Sequence, residues 1–272
     1  MKKKIIALCL VAALAVSMCF MFAACGDDKK SATDAEYVQE KGKLVIGYTL
    51  FAPMNFEDDN QQLTGFETEF AKAVCAKLGL EAEFRLIEWS AKETELASKS
   101  IDCIWNGMTI TPERAENMSI STPYMANKQV LVVKAENAAK YTTADSLEGV
   151  RIVAEQESAG EEVAKTDAFF AKANYKEVAT QADALAQVKA GYAEGCVVDY
   201  VCSIGMIGEG TDYADLVVVD ELAFADEQYG IAFRQGSDLT AKVNAAITEL
   251  VNDGTLMTIA EKYKLQDQII AK

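Results

Sequence analysis

Hydrophobic positions along the chain switch between two periods. KLVIGY (43 to 48) is a short, β-branched, nearly unbroken apolar run, the pattern of a buried strand. GFETEFAKAVCAKLGL (65 to 80) then takes up a helical period. It places Phe66, Phe70, Val74, Cys75 and Leu78 on one face and Gly79 where a left-handed cap would end the helix. AEFRLIEW (82 to 89) predicts a second strand, AKETELASKS (91 to 100) a helix and IDCIWNGMTI (101 to 110) a third strand. This alternation implies a parallel sheet. The pattern starts again with QVLVVK (129 to 134) and VRIVAEQ (150 to 156), a helix near 160 to 171, YKEVA (175 to 179), a helix near 181 to 192 and GCVVDY (195 to 200). EQYGIAFRQG (227 to 236) predicts one more strand, and residues 237 to 265 two helices divided at Asn252-Asp253-Gly254. The expectation is an α/β protein of two lobes, with no Pro/Gly-rich linker between them and no internal repeat.

The N-terminus is set apart from this pattern. Lys2, Lys3 and Lys4 precede an apolar run from Ile5 to Ala24 broken only by Ser17, which predicts an export signal over residues 1–24. On length alone the run could also span a bilayer as an uncleaved helix. Phe22-Ala23-Ala24-Cys25 resembles the bacterial lipobox, which would make Cys25 the lipid-bearing N-terminus of the mature chain. Either reading puts the domain outside the cytoplasm, lipid-anchored in the first case at the outer face of the cytoplasmic membrane. Residues 25–41 lack apolar periodicity and are expected to be a polar, solvated linker between lipid and domain.

Composition narrows the function. The chain has 272 residues, half of them apolar, with 26 Lys plus Arg against 42 Asp plus Glu, a formal charge of -16. Such a surface argues against nucleic acid and against anionic lipid surfaces. The absence of histidine removes Ser-His-Asp and Cys-His catalysis and His-ligated zinc. Beyond Cys25 the cysteines are Cys75, Cys103, Cys196 and Cys202, none in a C-x-x-C pair, so zinc spacing is absent. Their apolar neighbours predict buried free thiols.

Three places carry candidate chemistry. Thr111-Pro112 is a good helix start and sets Arg114 in the first turn, a two-pronged donor for a carboxylate. An ordinary capped surface helix whose Arg114 pairs with Glu113 or Glu116 fits the same residues. Ser158-Ala159-Gly160-Glu161 has capping-box spacing and would open a second helix with free N–H groups. Asp199 ends the run Cys196-Val197-Val198 where parallel sheets bind ligands, and it would equally serve as the cap of the following helix.

LVIGYTLFAPMNF, LTGFETEFAKAVCAKLGL, IDCIWNGMTITPERAENMSISTPY, EQYGIAF and NDGTLMTIAEKYKL, taken in order, resemble the bacterial extracellular solute-binding proteins for polar amino acids that serve ABC importers. The similarity runs from about 42 to 265. It implies a type II periplasmic-binding-protein fold, each lobe a mostly parallel sheet flanked by helices, joined by two hinge strands. Lobe 1 would be 42–127 plus 226–266 and lobe 2 131–223, with hinges at about 125–131 and 223–228. The resemblance assigns Arg114 to a ligand carboxylate, assisted by Gly107 and Thr109, and Asp199 to the ammonium; Ser158 and Ala159 would clamp the same carboxylate from lobe 2, where Glu157-Ser158-Ala159 departs from the family's usual Gly-Thr-Thr. Phe51 and Trp89 match positions that stack rings around the ligand side chain, and alternation along the third strand turns Asn106 to the cleft while leaving Trp105 open between cleft and core. Tyr48-Thr49 stands where many members specific for basic amino acids carry an Asp, which weakens a lysine or arginine reading. Glu155 matches a lobe-2 position where a carboxylate would favour a cationic or amide side chain, though a solvated Glu155 would select nothing. The implied protein is a monomer without cofactor or metal that captures a free polar or basic L-amino acid for a membrane permease. An enzyme on the same fold would need a placed acid or base, for which Glu155 and Asp199 are the visible candidates.

Overall fold

The computed structural model describes residues 32 to 272. The expected signal peptide, Cys25 and the start of the linker lie outside the described residues. Helix α1 (Asp34–Lys41) and strand β1 (Lys43–Tyr48) come first, and a small hairpin of β2 (Phe56–Glu57) and β3 (Leu63–Thr64) leads into α2 (Phe66–Leu78). β4 (Glu81–Leu86), α3 (Lys92–Ala97), β5 (Cys103–Ile104), α4 (Pro112–Asn117) and β6 (Met118–Ile120) follow. The long strand β7 (Met125–Lys134) precedes β8 (Arg151–Glu155), α5 (Ala159–Thr166), β9 (Asn174–Val178), α6 (Gln181–Ala190), β10 (Gly195–Asp199) and α7 (Tyr200–Met206). A second long strand, β11 (Leu216–Tyr229), then gives way to β12 (Ala232–Arg234), α8 (Leu239–Asn252) and α9 (Thr255–Lys262).

Two five-stranded sheets result, β4-β1-β5-β12-β6 and β11-β7-β10-β8-β9. β1 is covered on both faces as its unbroken apolar run requires. Leu44 and Ile46 face a core with Phe66, Phe70 and Val74 of α2, while Val45 faces Leu96, Ile104 and Met118. Phe66 and Phe70 are fully buried, and each contributes on the order of 1.5–3 kcal/mol. Gly79 ends α2 at φ 69, its N–H on the carbonyl of Ala76 and that of Leu80 on Cys75. Cys75, Cys103, Cys196 and Cys202 are all buried free thiols.

The sheets are mixed, a correction to the mostly parallel expectation. β1 pairs in parallel with β4 and β5, and β8 with β9 and β10, but β12 runs antiparallel to β5 and β6, and β7 antiparallel to β10 and β11. The cause is connectivity: the chain passes between the sheets twice, at the start of β7 and the end of β11, and the returning strands run the other way. These two strands pair from Met125 opposite Tyr229 to Lys134 opposite Leu216, with register shifts between Val218 and Ala223 and between Phe224 and Asp226. The strand expected over 101 to 110 is broken by the turn at Gly107: Cys103–Ile104 pair as β5, and beyond the turn Thr109 makes a single antiparallel bridge to Tyr229. The strand expected over 227 to 236 is divided between β11 and β12.

Residues 34 to 41, read from sequence as linker, are a docked helix. Ala35 and Val38, three apart on α1, are buried. Asp34 binds the Arg234 guanidinium at 3.0 Å, and Lys41 pairs with Asp102. Asp102 is fully buried and also accepts from the Val45 amide at 2.8 Å and from Arg234 at 3.4 Å. Ala35 and Val38, with Tyr37 packed against the same core, suffice to seat the helix because its charges meet partners. Asp102→Ala would leave the Lys41 ammonium and the Val45 amide without their partner and strip Arg234 of one of its two carboxylates. It should destabilise the domain by about 3–5 kcal/mol in urea unfolding, and a loss below about 1 kcal/mol, the scale of a surface pair, would contradict the structural role of Asp102.

Candidate functional site

The C-terminal ends of β5 and β10 and the starts of α4, α5 and α6 meet around a small, nearly closed cavity. One wall comes from residues 89 to 114. Thr111 caps α4, its hydroxyl accepting the Arg114 N–H at 3.2 Å, with Pro112 as first helical residue. This fixes Arg114, whose guanidinium donates to the carbonyls of Thr109 at 2.9 Å and Glu157 at 3.3 Å and to no carboxylate among the described residues. Pairing with Glu113 or Glu116, the plain alternative from sequence, does not occur.

The loop ahead of α4 is tied down from behind. Gly107 has φ +57, and a Cβ there would sit 2.6 Å from the Phe51 ring, so both backbone and space call for glycine. Its N–H donates to Glu67 at 2.8 Å, and the same buried carboxylate accepts from Asn55 at 2.9 Å and from the Tyr124 hydroxyl. Asn106 accepts from the Thr49 amide and from Asn55 and donates to the Thr49 hydroxyl. Thr109 donates its hydroxyl to Glu227 at 3.1 Å. The polar groups of Asn106, Gly107 and Thr109 therefore brace the loop.

The facing wall comes from residues 155 to 199. Ser158 caps α5 by accepting from Glu161 N–H at 3.1 Å, while the Glu161 carboxylate takes the Glu157 N–H at 2.8 Å, one residue earlier than a regular capping box. The N–H groups of Ala159 and Gly160, at the first two positions of the helix, have no partner within it. Glu157 adopts φ 56, and its carbonyl meets Arg114 and, at 3.4 Å, Lys92. Lys92 also lies 4.8 Å over the Trp89 ring. Asp199 precedes α7 without capping it. Its carboxylate instead accepts from Asn127 at 2.5 Å, Gln129 at 2.7 Å and Gln181.

Burial sets the electrostatics. Glu155 is 5% exposed and its carboxyl is pushed up to about 8 by burial and by the nearby Asp199, against the pull of Lys92 and the Gln181 amide. Glu67 rises to about 7 through burial, against its three hydrogen bonds. Glu227 also rises to about 7, through burial and Asp199. Asp199 itself is raised by burial, opposed by its amide donors. Burial lowers Arg114, and Glu227 opposes this most among the charges. A cavity with the half-buried Arg114 on one side and buried acids on the other suits a small molecule that carries both signs of charge.

Of the residues expected from sequence, Trp89, Asn106, Gly107, Thr109, Arg114, Glu155, Ser158, Ala159 and Asp199 line this one cavity. Phe51 does not; its buried ring packs behind Gly107. Trp105 lies in the core against Phe70, ring centroids 5.1 Å apart. Sequence reasoning missed Gln181, which lines the cavity and clasps Asp199 from both sides of its amide. It also missed Asn127, Gln129 and Glu227 on the crossing strands. The rule that singled out Asp199, ligand groups at C-terminal strand ends, applied to β9 would have pointed to Gln181. No sequence signal marked the other three.

Residues 44–266 match the bacterial extracellular solute-binding proteins, family 3, and the chain belongs to that family. It is 32% identical over 229 residues to the L-cystine-binding protein TcyJ of Escherichia coli, covering 83% of this chain and 84% of that one. It is 27% identical over 257 residues to the arginine-binding extracellular protein ArtP of Bacillus subtilis, covering 92% and 96%. Among solved structures, an amino acid ABC transporter substrate-binding protein from Streptococcus pneumoniae bound to L-arginine superposes with a TM-score of 0.77 at 26% identity, covering 85% and 98%. The fold is the type II periplasmic-binding arrangement of two α/β lobes.

The buried acids fix a pH dependence of stability. Glu67, Glu155 and Glu227 hold protons more tightly folded than unfolded, so between about pH 5 and 8 the native state binds more protons and stability falls as pH rises. Surface acids held low, such as Asp253 at about 2, are ionised in both states across this window. The melting temperature of the ligand-free domain should therefore drop from pH 5 to 8.5, and Glu155→Gln should flatten part of the drop. A melting temperature that rises across this interval would contradict the electrostatics described.

Proposed function

We propose that the protein captures a free polar or basic L-amino acid between its lobes and delivers it to the membrane permease of an ABC importer. The observation that carries this reading is the separation of Arg114 from Asp199 across one small buried cavity, with neither group neutralised by an ion pair among the described residues. An α-carboxylate meets Arg114 and the Ala159 and Gly160 N–H groups at the start of α5, and an α-ammonium meets Asp199. Trp89 covers the side chain, and Glu155 with Gln181 receives its polar end, favouring an amide or a cation over an acid. The relatives named for binding cystine and arginine support an amino acid as ligand.

In this reading residues 42–127 with 226–266 form one lobe and 131–223 the other, and the strands near 125–131 and 223–228 are the hinges. Differential affinity for the closed state, not contact alone, drives closure, and the closed form is what the permease engages. The protein works as a monomer, without cofactor or metal and without turnover of its ligand. A lipid on Cys25 holds it at the outer face of the cytoplasmic membrane, with residues between Gly26 and Thr33 as the remaining tether.

A thermal-shift screen of residues 26 to 272 against the twenty amino acids, ornithine, citrulline and cystine tests the reading, since a ligand of the native state raises the melting temperature by mass action. One amino acid or a related few should give a shift, and no shift with any of them would count against it. Arg114→Ala should cost roughly 3 to 5 kcal/mol of binding by titration calorimetry with the unliganded melting temperature little changed. Retained affinity would remove Arg114 from the carboxylate site.

A further inference from the structure

The crossing strands bring a second buried acid beneath Asp199. Glu227 on β11 is 9% exposed and Asp199 6%. They share the same two side-chain nitrogens. Asn127 Nδ2 lies 2.5 Å from Asp199 and 2.9 Å from Glu227, and Gln129 Nε2 lies 2.7 Å from Asp199 and 3.1 Å from Glu227. The remaining donors, the Thr109 hydroxyl to Glu227 and the Gln181 amide to Asp199, are also neutral. Among the described residues no Lys or Arg comes within ion-pair distance of either carboxylate. Two anions this close in a buried site do not both stay ionised without a cation, and their protons titrate as a property of the pair.

We propose that Glu227 is a second carboxylate of the ammonium site, sharing one proton with Asp199 in the ligand-free protein and giving it up to solvent as the ligand's ammonium binds. The exchange balances: one positive charge enters on the ammonium and one leaves as a proton, so the buried acids are never left with two uncompensated charges. The inference rests on the proposed amino-acid function. It explains why neutral amides surround the pair, since donors of fixed charge would hold both acids ionised and compete with the ammonium. The charged and titratable groups around the pair are Arg114 from α4, Glu155 from β8, Cys202 from α7, Tyr229 from β11 itself and Glu67 from α2. Lys92 acts on Glu155 from the far side. Burial raises both members of the pair, and the nearby Asp199 adds to the rise of Glu227, to about 7.

Glu155 is the competing source of a proton, and the test separates the two. Titration calorimetry at pH 6.5 with L-glutamine and L-arginine as probes, in phosphate and in imidazole, reads protons released from the difference in heat. Close to one proton per ligand should leave on binding L-glutamine, whose neutral side chain gives Glu155 no reason to ionise. Release should persist in Glu155→Gln and largely vanish in Glu227→Gln. Affinity should rise with pH below neutrality, by up to about tenfold per unit for one proton, and this slope should flatten in Glu227→Gln. Binding with identical heats in both buffers, or release undiminished in Glu227→Gln, would overturn the proposal. Carboxyl ¹³C NMR of the ligand-free protein decides the pair even if neither probe binds, an outcome that would bear on the amino-acid reading instead. The Glu227 resonance should titrate near neutral pH and shift downward, toward the ordinary carboxylate range, in Asp199→Asn. A Glu227 that titrates in that range beside an intact Asp199 would overturn the pair.

Discussion

Arg114 and the Asp199–Glu227 pair place opposite charges in one buried cleft without any ion pair joining them. Burying a charge without a partner is costly, and the surrounding structure is arranged around that cost. Arg114 is held by two backbone carbonyls, from Thr109 and Glu157. The acids are held by side-chain amides from Asn127, Gln129 and Gln181. Neutral partners steady both sides without cancelling them. A zwitterion completes the arrangement, and a molecule with one sign of charge leaves half of it unmet.

The scaffold holds the two halves in place through hydrogen bonds that anchor each wall. Glu67 ties the Gly107 loop to Asn55 and to Tyr124, the residue just before the first crossing strand. Asn106 locks the same loop to Thr49 at the end of β1. On the other side Gln181 exchanges two hydrogen bonds with Asp199, so the start of α6 and the end of β10 move together. Asn127, Gln129 and Glu227 lie on the strands that run between the sheets. The charge arrangement in the cleft is thus continuous with the segments that must bend when the lobes move, which is the physical requirement for ligand charge to bias a hinge.

Much of this was legible in the sequence where local rules decide. The unbroken apolar run of KLVIGY gave β1 its bounds, the Thr111-Pro112 start placed Arg114, and the strand-end rule found Asp199. What escaped depends on tertiary placement. Asn127, Gln129 and Glu227 read as ordinary strand residues until the antiparallel pairing of β7 and β11 sets them side by side beneath β10. Phe51 has the aromatic character expected of a ligand wall, yet the left-handed turn at Gly107 covers it. Residues 34 to 41 look like polar tether because Ala35, Tyr37 and Val38 are their only apolar residues, and their docking depends on Arg234, 200 residues from Asp34, and on the buried Asp102.

A cleft charged in this way requires both charges of the ligand in order to close. Small-angle X-ray scattering of the domain tests that requirement most directly, using the amino acid that binds best, the amine left by removing its carboxylate and the acid left by removing its ammonium. The radius of gyration should fall with the intact amino acid and stay at the ligand-free value with either half at saturating concentration. Equal compaction by the amine or the acid alone would show that one charge suffices, and would contradict a latch that needs Arg114 and Asp199 together.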